Sequence, residues 1–155
     1  MSIPQEIGIL ERRRIEAEIL APVLDELEAA LGVERASALL SRAVARVARE
    51  SGRALRKGWP GGGLEGLRAL WESLGRGGAL DVRLEEAEGS LRLRVTRCAY
   101  AELYRRLGRP RLGLVLSCGR DAPLLEGYSD ALALERTACL LEDDDRCEIT
   151  YRRKP

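Results

Sequence analysis

Cys118 and Asp121 stand three residues apart in Leu116-Ser117-Cys118-Gly119-Arg120-Asp121, in a chain of 155 residues that contains no histidine. The usual imidazole base is therefore out of reach. A thiol is the strongest nucleophile among the side chains, and a carboxyl group one turn away is the nearest group able to carry its proton. Cys118 as nucleophile with Asp121 as acid-base is the first chemical reading, since on a helix a spacing of three sets both on one face. The plain alternative is a structural thiol beside a helix-capping aspartate, with Gly119 and Pro123 ending the helix nearby.

Cys98 follows a strand pattern and opens a helix for which Thr96 is the expected cap. A thiol there meets the positive end of the helix dipole and should ionise more easily, so it would assist Cys118 or line its pocket. Arg97 beside it is a candidate for gripping a substrate carboxylate through two parallel hydrogen bonds. Arg136 is another, because strand alternation turns it inward among Leu134 and Ala138. A buried arginine needs a partner, either a ligand or a carboxylate such as Asp121 or Glu148. Cys147 falls on the core face of the last strand, within approach of the helices that carry Cys98 and Cys118. Tyr100 is a candidate for contact with substrate, and Tyr104 and Tyr128 are pocket or core residues.

Successive cysteines are 20, 21 and 8 residues apart, with no close Cys-x-x-Cys pair. Neither a zinc site nor any other cofactor is expected. The acidic run Glu142-Asp143-Asp144-Asp145 lacks the ligand order of a calcium loop and reads as a solvated turn.

Composition narrows the function further. Charged residues make up 33% of the chain, but 26 basic side chains against 25 acidic ones leave a net charge of +1. No whole-molecule field steers polyanions, so nucleic acid is not an expected partner. The first residues, Met1-Ser2-Ile3-Pro4-Gln5-Glu6, lack the basic-then-apolar layout of a signal peptide. No apolar run approaches the roughly 20 residues that span a bilayer. The expectation is a cytoplasmic protein with reduced thiols, no membrane partner and a small-molecule substrate; a homo-oligomer is left open.

The elements that must position these residues divide the chain into a helical layer over 1–76 and a hairpin-helices-hairpin part over 77–155, within one domain. Leu20, Leu24, Leu27 and Leu31 recur at helical spacing in a helix from Pro4 to Leu31, kinked or divided at Pro22. A second helix runs from Val33 to about Arg56 with Ala36, Leu39, Leu40, Ala43, Val44 and Val47 on its buried face. After the Trp59-Pro60-Gly61-Gly62-Gly63 loop, a third runs from Leu64 to Leu74.

The period then changes to two. Leu80, Val82 and Leu84 pair with Val95, Leu93 and Leu91 in a hairpin turning near Ala87-Glu88-Gly89. A helix spans Thr96 to Leu107, and another, opening at Pro110, carries Cys118. A second hairpin turns around Glu142 to Asp145. The preferred register pairs Leu140 with Cys147, Ala138 with Ile149 and Arg136 with Tyr151. It leaves Cys139 on the opposite face and predicts no disulfide; the alternative pairs Cys139 with Cys147. The fold class is α+β, a helical layer on an antiparallel sheet of at least four strands built from two hairpins, with the pocket between sheet and helices.

Arg97-Cys98, Cys118-Gly119-Arg120-Asp121, Leu134-Glu135-Arg136-Thr137 and Asp145-Arg146-Cys147-Glu148-Ile149 together resemble the L-2-amino-thiazoline-4-carboxylic acid hydrolase family, across roughly Leu91 to Tyr151. Arg13-Arg14-Ile15-Glu16-Ala17 and Ile19-Leu20-Ala21-Pro22 are similar to the family's helical start. The resemblance implies hydrolysis of a small cyclic amidine at a non-peptide carbon-nitrogen bond, opening a thiazoline ring to an N-carbamoyl product. The rival expectation is a non-catalytic small-molecule binding or sensing module on the same fold.

Overall fold

The computed structural model describes residues 7–155. Two long helices come first, α1 (Ile9–Leu31) and α2 (Val33–Gly58), separated only by Gly32 at φ 84°. That positive φ suits glycine, which ends one helix and starts the next without a linker. Helix α1 runs through Pro22 as one continuous element. Pro4, where the sequence pattern places its start, lies outside the described residues.

Helix α2 buries a different line from the expected one. Leu39 and Val47 are 40% and 51% exposed, while Ala36, Val44, Ala48 and Gly52 are buried. The cause is the later helix α6 (Asp121–Tyr128), which packs extensively on α2. A Cβ on Gly52 would lie 2.0 Å from the Leu124 carbonyl oxygen, and one on Gly127 would lie 2.0 Å from that of Arg49. The two backbones touch at paired glycines, and only small side chains fit between them.

Helix α3 (Leu64–Arg76) leads into strands β1 (Leu80–Ala87) and β2 (Ser90–Cys98), joined by the two-residue turn Glu88-Gly89 with Gly89 at φ 70°. Ala87 pairs with Ser90, Leu84 with Leu93 and Val82 with Val95. The register is two residues from the expected one, because the turn is centred one residue later, on Glu88-Gly89. A slip of two keeps every side chain on its face, so Leu91, Leu93 and Val95 are buried as expected. Helices α4 (Ala99–Arg106), α5 (Pro110–Leu116) and α6 are inserted before β3 (Leu132–Ala138) and β4 (Cys147–Arg153).

The sheet is antiparallel in the order β1-β2-β4-β3. One face carries the core, with Leu91, Leu93, Ile149 and Tyr151 at its centre. The other faces solvent with exposed ion pairs such as Arg94–Glu148 and Arg152–Glu135. This is the α+β architecture read from the sequence, helices of the N-terminal half packed on a four-stranded antiparallel sheet.

The second hairpin differs from expectation where it matters for the thiols. Leu134 pairs with Tyr151 and Arg136 with Ile149, and the register then shifts before Ala138, which pairs with Glu148. This bulge alters the alternation. Cys139, expected on the outer face, is fully buried. The acidic turn is more than a solvated loop: the Cys139 amide donates to the Asp144 carboxylate at 2.7 Å, and Asp143 adopts a left-handed φ of 67°. No helix among the described residues is long and apolar enough to cross a membrane.

Candidate functional site

A cavity of about 180 Å³ lies between the sheet and the helices. It is comparable to an engineered hole of about 150 Å³ that takes up benzene, so it has room for one small ring. The apolar wall comes from Leu70, Trp71 and Leu74 of α3, Leu80 and Val95 of the first hairpin, and Ile149 of β4. Trp71 Nε1 donates to the Tyr151 hydroxyl at 3.1 Å, which ties α3 to β4 and holds that wall in place.

The opposite wall is polar and is made where the chain breaks between two helices. Helix α5 stops at Leu116, and Cys118–Arg120 form a single 3-10 turn before α6 begins at Asp121. Cys118 is thus not carried on a continuous α-helix. The tighter turn still serves the geometry, since side chains three residues apart nearly eclipse in a 3-10 helix. Pro123 does not end a helix; it occupies the first turn of α6, where its missing N–H goes unused. Cys118 and Asp121 both line the cavity.

Arg136, from β3, donates to the Asp121 carboxylate at 2.5 Å and to the Cys118 carbonyl at 3.2 Å. Its Nε is buried without a partner among the described residues. Burial pushes the Asp121 carboxyl up to about 6, against the opposing pull of Arg136. A carboxyl group poised there can give or take a proton near neutral pH.

Cys118 and Cys139 sulfurs lie 4.0 Å apart, and all four cysteines are free. The contact with Cys139, followed by burial, raises the Cys118 thiol well above its ordinary value. The same contact draws Cys139 down to about 6, with the Leu141 amide and Arg136 acting in the same direction. Cys118 faces the cavity as a protonated thiol. Cys139 stands behind it and does not line the space.

Cys98, Tyr100, Cys147 and Arg136 line the same cavity, so six of the seven residues singled out from the sequence converge there. Cys98 is itself the N-cap of α4, its sulfur accepting from the Ala101 amide at 3.5 Å, so Thr96 is not the cap. Its thiol is not made more acidic; burial raises it against the amides of Ala101 and Tyr100. Burial likewise lifts Cys147 to about 11, although its sulfur accepts from the Leu140 amide at 3.3 Å.

Arg97 is the exception. The register shift opposite Asp81 and Val82, which leaves Thr96 unpaired, breaks the alternation of Leu91, Leu93 and Val95 and turns Arg97 to solvent, where it pairs with Glu102 and donates to the Gly78 carbonyl, and it does not line the cavity. Tyr128 is also elsewhere, donating to the Gly63 carbonyl at 2.6 Å. Among the described residues, no group of three or more Cys, Asp or Glu side chains is placed to hold a metal ion.

Sequence reasoning missed Arg13 and Arg120 as cavity residues. Arg120 sits inside the very Cys-Gly-Arg-Asp segment that drew attention, and its spacing alone could not say that it points to the same space.

A helix-covered antiparallel sheet enclosing a ring-sized cavity defines a small α+β fold. The chain belongs to the L-2-amino-thiazoline-4-carboxylic acid hydrolase family, whose model matches residues 12–151. It is also similar in fold to the phenol-responsive sensory domain of the transcription activator PoxR, crystallised with phenol. That likeness has a TM-score of 0.52 at 16% identity and covers 98% of this chain and 79% of the other. No curated protein matches the sequence.

Proposed function

We propose that this cavity hydrolyses a small cyclic amidine such as 2-amino-thiazoline-4-carboxylate. The observation that carries the reading is the convergence of Cys118 and Asp121, with Arg136 bonded to the carboxylate, on one wall of a ring-sized space. Family membership supports the reaction class.

A raised Cys118 thiol needs a base, and the amidine supplies one. Its ring nitrogen takes the Cys118 proton as the sulfur adds to the amidine carbon. The ring carbon-sulfur bond then breaks, with protonated Asp121 giving its proton to the departing ring sulfur. Asp121, now a carboxylate, takes a proton from water as the water oxygen adds to the same carbon. The bond to Cys118 breaks, the new hydroxyl returns its proton to that sulfur, and an N-carbamoyl thiol leaves. Overall, water has cleaved the ring carbon-sulfur bond: the carbon becomes a carbonyl, the ring sulfur leaves as a thiol and the former imine nitrogen keeps a proton. Arg136 keeps Asp121 in place and near the reaction centre throughout.

The test is release of free thiol from 2-amino-thiazoline-4-carboxylate. Cys118→Ala should abolish it, and Asp121→Asn should lower it by about 10²–10⁴-fold. Full activity in Cys118→Ala would overturn this mechanism.

A second reading is a non-catalytic binding or sensing module. The predominantly apolar walls favour it, and the PoxR domain shows that a protein of this fold can be a phenol-responsive sensor. Ligand binding without turnover in the wild-type protein would select it.

A further inference from the structure

Of the three arginines that line the cavity, two are paired differently from the third. Arg136 is matched by Asp121 and Arg97 by Glu102, each with its own carboxylate. Arg13 and Arg120 share one. Arg13 meets both oxygens of Glu16 at 2.9 Å, and Arg120 reaches the second of them at 3.3 Å. Both residues line the cavity, and their side chains are only 13% and 15% exposed.

Among the described residues, two positive charges against one negative leave an excess of one in a poorly hydrated place. Arg120 registers it: burial first, then repulsion from Arg13, pull its pKa below the ordinary arginine value, and Arg12 adds to the effect. The Arg120 Nε is committed to the Leu116 carbonyl, which fixes the guanidinium at the foot of the 3-10 turn. The Tyr104 hydroxyl, buried and without a hydrogen-bond partner among the described residues, does not line the cavity but lies in the field of the same Arg13, Glu16 and Arg120. A buried donor without an acceptor is costly. The excess positive charge on the cavity wall asks for one thing, an additional anion.

We propose that Arg13 and Arg120 form a carboxylate subsite, which orients a ring-sized anionic ligand with its opposite end toward Cys118 and Asp121. The assignment rests on the hydrolase reading of this cavity for its orientation, and it replaces Arg97 and Arg136 as the anion-binding residues. Selectivity follows from charge: a ligand with one carboxylate relieves the repulsion between the two guanidiniums, and its neutral amide does not.

The experiment is calorimetric titration of the full chain with thiazole-4-carboxylate and with thiazole-4-carboxamide, neither of which has an amidine to hydrolyse. The wild type is expected to bind the carboxylate about tenfold to a hundredfold more tightly than the amide. Arg120→Gln and Arg13→Gln should bring the two ligands to within about twofold of each other. Glu16→Gln should act in the opposite direction, strengthening carboxylate binding by about threefold or more, because it removes the competing anion. This gain decides the matter even if the arginine variants fail to fold.

Equal affinity for both ligands in the wild type, no binding of either up to millimolar concentration, or a preference that survives in both arginine variants would overturn the subsite. So would an unchanged or weakened preference in Glu16→Gln. A preserved carboxylate preference in a protein that never opens a thiazoline ring would sink the hydrolase reading and leave the subsite standing.

Discussion

The Arg136 guanidinium, on strand β3, holds the Asp121 carboxylate, at the first residue of α6, at 2.5 Å. This contact joins sheet to helix across the cavity. It also offsets part of the cost of burying a carboxyl group whose side chain is 24% exposed.

Arg136→Met is expected to destabilise the protein by about 2–3 kcal/mol at pH 7.5, since it leaves a mostly buried carboxylate without its charged donor. Urea unfolding of the variant and the wild type measures this. The double variant with Asp121→Asn should recover most of the loss; failure to recover would show that Arg136 acts through packing alone.

The Asp121 carboxyl titrates at about 6 in the folded chain against an ordinary value of 3.8. Between these values the folded state holds a proton that the unfolded state has lost. Stability from this group is therefore greatest below about pH 4 and falls as pH rises through 6, by about 3 kcal/mol in total. Exposed Glu11 and Asp25 and half-buried Glu148 have lowered values and act in the opposite sense below their ordinary range. Unfolding free energies at several pH values, wild type minus Asp121→Asn, should isolate the falling component. A flat difference between pH 4 and 7 would contradict it.

Cys118 is held in its protonated form first by the contact with Cys139 and then by burial. Cys139→Ser removes the neighbouring sulfur. Alkylation of Cys118 by iodoacetamide at pH 8 should then quicken by about tenfold, as thiolate supply limits the rate. Peptide mapping of the modified cysteine reads this directly, and an unchanged rate would assign the high value to burial alone.

Gly52→Ala and Gly127→Ala each place a Cβ 2.0 Å from a carbonyl oxygen of the facing helix. A loss of about 3 kcal/mol or more is expected, because backbone cannot give way as a side chain would. Gly61→Ala, which meets nothing within 4 Å, should stay within about 0.5 kcal/mol. Thermal melts of the three variants test the contrast.

Much of the architecture was legible locally. The three-and-four spacing of leucines in α1, the Gly32 break and the alternation from Leu80 to Val95 each report a short-range preference, and the structure carries all of them. The face of α2 was not legible, since Leu39 and Val47 have the same spacing as residues that are buried. What chooses between them is α6, which lies about 70 residues away in the chain and comes against α2 so closely at Gly52 that no side chain fits there.

For the candidate site, residue type and spacing determined the Cys118-Asp121 juxtaposition, which survives the change from α-helix to 3-10 turn because both keep residues three apart on one side. They also determined that Arg136 faces inward, since strand alternation is a local property. Tertiary structure alone decided the rest. A bulge near Thr137 brought Cys139 behind Cys118 and reset the acidity of both thiols. Packing α1 across the 3-10 turn put Arg13 beside Arg120, while β2 carried Arg97 away to solvent. Pairing and desolvation depend on which groups meet in space, and chain spacing does not encode that for residues more than a hundred positions apart.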